Sequence, residues 1–174
     1  MTKRFSLLLT ALLAAPAFAA EPTACSAFQM DVSSEVELFQ GSPIPVNAGV
    51  EAASATQVEP GRLYEVRLQS QKQVQYVALP SRKPDPAESG GMLRIAITEG
   101  GSYRVSVNAP SWVDAVFAGV ALETQDFRSD RECGGPTKIV TFNVPAGAEL
   151  VLQFIDVDRS SLRLTVTPAP QKIW

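Results

Sequence analysis

The sequence contains no histidine, and this absence excludes several classes of catalytic and metal-binding site. It rules out Ser-His-Asp and Cys-His catalytic groups, an imidazole general base, and the usual zinc and iron sites. Beyond the N-terminal region the lysines are Lys72, Lys83, Lys138 and Lys172. None follows a serine at Ser-x-x-Lys spacing, and the chain has no Gly-x-Gly-x-x-Gly or Walker loop. We therefore expect no enzyme activity, no cofactor and no metal site.

Basic charge is also scarce and dispersed. Fifteen Lys and Arg stand against eighteen Asp and Glu, and without Lys3 and Arg4 the balance is thirteen against eighteen, a net charge of −5. Nucleic acids and anionic membranes attract proteins with clustered positive charge. We expect neither as a partner.

Only one long apolar run occurs, at the N-terminus. Lys3 and Arg4 precede the apolar residues 5–15, and Pro16 is followed by small residues on either side of Phe18. This order predicts a cleaved signal peptide over residues 1–19, and the run is shorter than the roughly twenty residues a membrane-spanning helix needs. The alternative is an apolar core helix. We expect a periplasmic or secreted protein that does not insert into the membrane after cleavage.

Cysteine is limited to Cys25 and Cys133. In an exported protein a pair of cysteines predicts a disulfide, which would tie the N-terminal segment to a distant loop. Closing so long a loop stabilises a fold by about 4–5 kcal/mol on chain-entropy grounds. A metal-binding pair and a reactive thiol are the alternatives.

The rest of the chain is dominated by segments in which apolar and polar residues alternate. They cover residues 62–69, 92–98, 103–107, 137–144, 150–155 and 161–166. Period-two alternation is typical of strands with one buried face. We also predict a strand over 74–79 that ends at Pro80, and a central strand over 112–122 in which Gly119 marks a bulge or a close backbone approach. Residues 99–102 predict a hairpin between the strands that flank them.

These signals predict an all-β fold. We expect a single antiparallel, jelly-roll-like β-sandwich of about eight or nine strands. One short N-terminal helix is predicted over residues 33–40, capped by Ser33 or Ser34, with Glu35 and Glu37 in its first turn. The chain then divides into a signal peptide (1–19), a disulfide-tethered N-terminal segment (20–45), the sandwich (46–167) and a tail (168–174).

Two stretches carry a resemblance to known proteins. Residues 99–107, Glu-Gly-Gly-Ser-Tyr-Arg-Val-Ser-Val, and 162–166, Leu-Arg-Leu-Thr-Val, are similar to bacterial pre-peptidase C-terminal-type β-sandwich domains. There too a Gly-x-Tyr-x-Val strand follows a turn. The match spans roughly residues 60–167 and implies the sandwich fold. The acidic calcium-type residues of that family have no clear counterpart here, so no metal site carries over.

A second resemblance involves residues 108–114 and 133–140, which look like segments of small exported bacterial proteins of unassigned function. Some of that group carry a homogentisate-dioxygenase label. Such an enzyme holds iron through histidines, and this sequence has none.

The stretch between Glu123 and Pro136 is the most function-like feature, and we predict that it is a long loop. It places Asp126, Arg128 and Arg131 around Phe127. Arginine binds carboxylates and phosphates through two parallel hydrogen bonds, and loops on a rigid scaffold often bind ligands. The alternative is a charge-balanced surface loop with Phe127 packed beneath it.

Aromatic residues suggest a second binding feature. Trp112 and Asp114, with Tyr103, would form a platform on which a sugar could stack, unless Trp112 caps the core. Asp156 and Asp158 are expected in a solvated hairpin turn.

We expect a non-catalytic binding or accessory module whose loops recognise a protein or glycan of the cell envelope. The alternatives are a structural or stress-protective envelope protein and, less favoured, a small glycoside hydrolase that uses two carboxylates.

Overall fold

The computed structural model describes residues 25–170, so the predicted signal peptide and the last four residues of the predicted tail lie outside the described residues. Within this range the chain forms one α-helix, three 3-10 helices and twelve strands. The helix is α1 (Ser33–Gln40), and the 3-10 helices are Ser26–Phe28, Ala52–Ser54 and Gln71–Gln73. The strands are β1 (Ile44–Asn47), β2 (Thr56–Val58), β3 (Tyr64–Arg67), β4 (Gln69–Ser70), β5 (Ser89–Ile97), β6 (Gly101–Val107), β7 (Trp112–Phe117), β8 (Val120–Ala121), β9 (Thr124–Ser129), β10 (Lys138–Val144), β11 (Ala148–Val157) and β12 (Ser161–Pro168).

The strands form two sheets. The first has the order β1-β3-β12-β6-β10-β9, and the second has the order β2-β5-β11-β7-β8, with β4 also paired to β5. Most neighbours are antiparallel, but β1 pairs with β3 and β2 with β5 in parallel. The all-β prediction is thus confirmed, whereas the purely antiparallel sandwich of eight or nine strands is wrong. The extra strands are two to six residues long and lie at sheet edges, where the periodic signal is too brief to read.

The hydrophobic core lies between the two sheets, as the alternation predicts. Val66 and Val105 of the first sheet pack with Leu93 and Leu152 of the second, and all four are buried. Polar residues at the intervening positions face outward. Burying one of the apolar core side chains stabilises the fold by about 1.5–3 kcal/mol relative to leaving it exposed.

The predicted hairpin at residues 99–102 is wrong, because β5 and β6 belong to different sheets. The same holds for β11 and β12. A Gly-Gly pair indicates that the chain reverses, but it does not indicate whether the next strand joins the same sheet. Gly100 allows the crossing, because a Cβ at this position would lie 2.7 Å from the backbone nitrogen of Ala146.

Two further strand predictions fail. Residues 74–79 form no strand; they cross the outer face of the second sheet, where Ala78 N donates to Gln153 Oε1 at 3.0 Å. Residues 112–122 form two strands rather than one. Gly119, predicted as a bulge or a close backbone approach, lies with Ala118 in the turn between β7 and β8. Both residues have positive φ (82° and 49°), as a tight hairpin turn of the primed type requires, and no heavy atom beyond its chain neighbours lies within 4 Å of a Cβ placed on Gly119.

Residues 25–40, which we call the N-terminal cover, pack on the outer face of the first sheet. The predicted helix is confirmed, but neither Ser33 nor Ser34 caps it: the N-cap position is Val32 and carries no side-chain cap. Glu35, predicted only as a first-turn acid, is fully buried. It accepts a hydrogen bond from Thr167 Oγ1 at 2.8 Å and pairs with Arg104 Nη1 at 3.3 Å.

The disulfide between Cys25 and Cys133 is confirmed and links the cover to the segment after β9. Phe28, Val32 and Ile139 pack around Cys133 in a second, smaller apolar cluster. This cluster explains why the outer face of β10 can carry an isoleucine without exposing it to water.

Candidate functional site

A groove of about 410 Å³ opens at one end of the sandwich. Its lining comes from the connection between β6 and β7, from β9 and the start of β10, and from the segment before β5. Its lining side chains include Arg82, Asp85, Glu88, Ser111, Trp112, Phe127, Ser129, Arg131, Lys138 and Asp156. We call this feature the groove. Its volume lies within the range of about 300–1,000 Å³ that is usual for small-ligand sites.

Lys138 lies between two aromatic rings in the groove. Its Nζ is 5.4 Å from the ring centroid of Trp112 and 5.9 Å from that of Phe127, and it donates a hydrogen bond to the carbonyl oxygen of Ser111. Partial burial, followed by the positive charge of Arg82, lowers the pKa of the Lys138 ammonium below its usual value. Both rings therefore lie within cation–π distance of the same ammonium.

Trp112 is fixed in place by its indole N–H. Nε1 donates to Ser81 Oγ at 2.6 Å and to Asp114 Oδ1 at 3.0 Å. Ser81 Oγ in turn donates to the same carboxylate, and Asp114 itself is buried. Trp112 remains 39% exposed, so it does not cap the core, and its ring is presented to the groove in a preset orientation.

Asp156 anchors the segment before β5, which contributes Arg82 and Asp85 to the groove. Its Oδ1 accepts hydrogen bonds from Asp85 N at 2.7 Å and from Gln71 Nε2 at 3.1 Å. Arg82 Nε lies 2.9 Å from Oδ2, which makes an ion pair although the alignment is not that of a hydrogen bond. The prediction of a solvated turn residue is wrong here: Asp156 belongs to β11, where the pairing with β5 is interrupted and its own φ is 53°.

The predicted binding loop is in fact partly a strand, and this divides its residues between two faces. Phe127 lies opposite Val140, on the inner side of the first sheet, but it is 61% exposed because it lies at the sheet edge. Asp126 and Arg128 point to the outer face and pair with each other, with Arg128 Nε 3.2 Å from Asp126 Oδ2. A period of two within β9 produces this separation.

Of the six predicted site residues, the structure brings three to the groove: Trp112, Phe127 and Arg131. Asp114 lies behind Trp112 as its hydrogen-bond partner. Asp126 and Arg128 lie elsewhere, beside Met30 of the N-terminal cover. Tyr103 also lines that second surface rather than the groove, and its hydroxyl donates to the carbonyl oxygen of Glu99, so it forms no platform with Trp112.

Sequence reasoning missed Lys138, although a signal for it exists. Lys138 precedes Val140 and Phe142 at two-residue spacing, so the pattern places a lysine on the inward side of an otherwise apolar strand. Such a residue is expected where the core ends and an opening begins. Arg82 and Asp85 carry no comparable signal, because tertiary contacts alone bring their segment to the groove.

Between residues 25 and 170 no three or more of His, Cys, Asp and Glu cluster as a metal site would require. Over the same stretch no helix is both long enough and apolar enough to cross a membrane.

Comparison with known proteins adds no relative: no protein-family model matches the chain, and a search of the curated proteins finds no match.

Proposed function

We propose that this protein is a non-catalytic binding module that holds a neutral glycan of the cell envelope in the groove. The observation that carries the proposal is the pair of partly exposed rings, Trp112 and Phe127, on either side of Lys138. Exposed aromatic rings offer a large apolar surface at low entropic cost, and an apolar face of a sugar ring can stack on them.

The charges of the groove favour a ligand without net charge. Three cations, Arg82, Arg131 and Lys138, line it together with three anions, Asp85, Glu88 and Asp156. A strongly charged ligand would meet charges of its own sign. Sugar hydroxyls donate and accept, so they can bond to both kinds of side chain. Arg131 forms no ion pair with any residue that the structure describes, which leaves its donors for a ligand.

Two carboxylates at or beside the groove, Asp114 and Asp156, are engaged by neighbouring groups, which favours binding over hydrolysis. A glycosidase needs one carboxylic acid and one carboxylate free to act on either side of the scissile bond. Asp114 is engaged by Trp112 and Ser81, and Asp156 is engaged by Gln71, Asp85 and Arg82. Both carboxylates therefore position neighbouring groups.

We also propose that the module acts outside the cytoplasm, in the periplasm or after secretion. The disulfide between Cys25 and Cys133 supports this location, because disulfides persist in oxidising compartments.

We further propose that the sandwich is a jelly roll with added edge strands. Four antiparallel pairs are nested in the chain: β3 with β12, β5 with β11, β6 with β10, and β7 with β8. Eight strands paired in this way correspond to one long hairpin rolled into two sheets, an architecture that lectin domains also use. Fold alone does not decide function, so the groove, and not the jelly roll, is the basis on which we propose a ligand.

Glycan binding is tested by titration calorimetry with a panel of soluble neutral oligosaccharides. We expect at least one to bind, and Phe127→Ala to weaken its affinity about tenfold, which corresponds to the loss of about 1.4 kcal/mol of stacking. Arg131→Ala should also weaken binding. Arg128, the other arginine of the predicted binding loop, is left unchanged because it does not line the groove.

Leu79→Ala is the matched control, since Leu79 is 92% exposed and does not line the groove. It should bind like the unchanged protein. Absence of binding to the whole panel, or equal affinity of the Phe127→Ala variant, would refute the proposal. Release of new reducing ends from a bound oligosaccharide would show a hydrolase instead.

A further inference from the structure

Strand β9 ends the first sheet and differs from the other sheet edges. Among the described residues no strand pairs with its outer side. At the remaining edges β1 contains Pro45, β2 has three residues and β8 has two. Short or proline-bearing edge strands discourage pairing with other chains. β9 is six residues long and contains no proline, so it is the edge best able to accept another strand.

The hydrogen-bonding groups that β9 directs outward can be identified from its pairing with β10. Asp130 N donates to Thr137 O at 3.0 Å, which makes these opposed residues a hydrogen-bonded pair. Such pairs alternate along an antiparallel ladder, so Arg128 and Asp126 also point their backbone groups towards β10. The N–H and C=O groups of Phe127 and Ser129 therefore point away from the sheet.

The side chains of β9 are arranged almost symmetrically about Phe127. Asp126 precedes it and Arg128 follows it, and both lie on the outer face of the sheet. If a second β9 approaches antiparallel with Phe127 opposite Phe127, each Asp126 faces the Arg128 of the other copy. The four charges then alternate in sign, and the two Phe127 rings form a cross-strand aromatic pair.

We propose that two copies of this chain associate through their β9 strands, which pair antiparallel about a two-fold axis at Phe127. The two first sheets then continue into one another, and the contact is isologous, since each copy supplies the same surface. Main-chain hydrogen bonds from Phe127 and Ser129 supply the pairing, as in other cases of strand addition.

The charges also select this register over its neighbours. A shift that centres the pairing on Asp126 places two carboxylates opposite each other, and a shift that centres it on Arg128 does the same with two guanidinium groups. Like charges directly opposed on neighbouring strands are destabilising. Within one copy Asp126 and Arg128 already form an exposed ion pair, so the dimer exchanges partners without burying a lone charge.

The association shares Phe127 with the groove, but its test is separate from the glycan proposal, because the substituted residues Asp126 and Arg128 do not line the groove. Sedimentation velocity of the full exported chain, over about a hundredfold range of concentration, should show a monomer–dimer equilibrium. Asp126→Arg and Arg128→Asp, each alone, place like charges in opposition and should weaken dimerisation at least about tenfold.

Charge exchange provides the decisive control. The double variant Asp126→Arg/Arg128→Asp restores opposite charges across the axis and should dimerise like the unchanged protein. An equal mixture of the two single variants should form a heterodimer, since every opposed pair is then complementary. A monomer at the highest concentration overturns the proposal, and so does a dimer that persists unchanged in both single variants. Binding of a different protein's peptide along β9, with the chain itself monomeric, would overturn it as well.

Discussion

The N-terminal cover and the groove both combine charged groups with apolar ones, but they leave them in different surroundings. Beneath the cover, the side chains of Glu35 and Arg104 are 0% and 9% exposed and bond to each other and to Thr167 and Asp31. In the groove, Lys138 lies between two rings that water also reaches. Removing a partner under the cover leaves a charge unpaired and away from water, whereas the partly exposed Phe127 ring of the groove can be replaced at a smaller structural cost. The buried pair under the cover therefore contributes mainly to stability, and the groove is where we propose that a ligand binds.

The largest effect should come from the disulfide that fastens the cover. Replacing Cys25 and Cys133 together by serine frees a loop of more than a hundred residues, and we expect a loss of about 4 kcal/mol in the free energy of unfolding. Urea denaturation measures it. Reductant should destabilise the unchanged protein by a similar amount and leave the double variant unaffected; equal midpoints with and without reductant would contradict this.

The next effect concerns the buried ion pair. Glu35→Gln leaves Arg104 charged and largely out of water, and we expect a loss of about 3 kcal/mol in unfolding free energy. Glu149→Gln, which removes the exposed pair with Arg94, should cost less than about 0.5 kcal/mol. Adding Arg104→Met to Glu35→Gln should recover much of the loss, because no unpaired charge then remains. Equal losses for the buried and the exposed pair would remove the contrast between the two regions.

The smallest effect tests the groove through pH. Burial and Arg82 lower the pKa of Lys138 below 10.5, so the folded state binds fewer protons than the unfolded state between the lowered pKa and 10.5. Stability then rises with pH through that window and is greatest above it. Relative to Lys138→Met, the unchanged protein should gain less than about 1 kcal/mol on passing through the window, since Lys138 is partly exposed. Parallel stability curves in urea denaturation would contradict the assignment.

The core strands could be predicted from sequence because one face of each is buried. Residues 92–98 and 137–144 alternate cleanly, and one face of each segment is in the core: Leu93, Ile95, Ile97, Val140, Phe142 and Val144. β9 was missed because an edge strand has little to bury, so charges occupy positions that a central strand would fill with apolar residues. Residues 74–79, by contrast, were predicted as a strand that does not form. Tyr76 and Ala78 alternate with exposed residues, but the segment lies across the outer face of a sheet and is not one of its strands.

The site could be predicted only in part, for a related reason. Trp112 and Phe127 stand out because aromatic residues are few, and both reach the groove. Treating residues 124–133 as a loop grouped Arg128 with Arg131, whereas strand geometry separates them. The contribution of Asp156 depends on contacts with Gln71 and Asp85, about seventy to eighty-five residues away in sequence, and no local pattern encodes contacts at that distance.

The pairing of β3 with β12 has a consequence for how the chain folds. Tyr64 lies opposite Leu164, and β12 also separates β3 from β6, so the first sheet is not continuous until its last strand is present. Folds dominated by such distant contacts form slowly, on a scale of about milliseconds to seconds. A chain that ends before Ser161 would leave facing edges on β3 and β6 unpaired, and we expect it to aggregate rather than to form a smaller version of the sandwich.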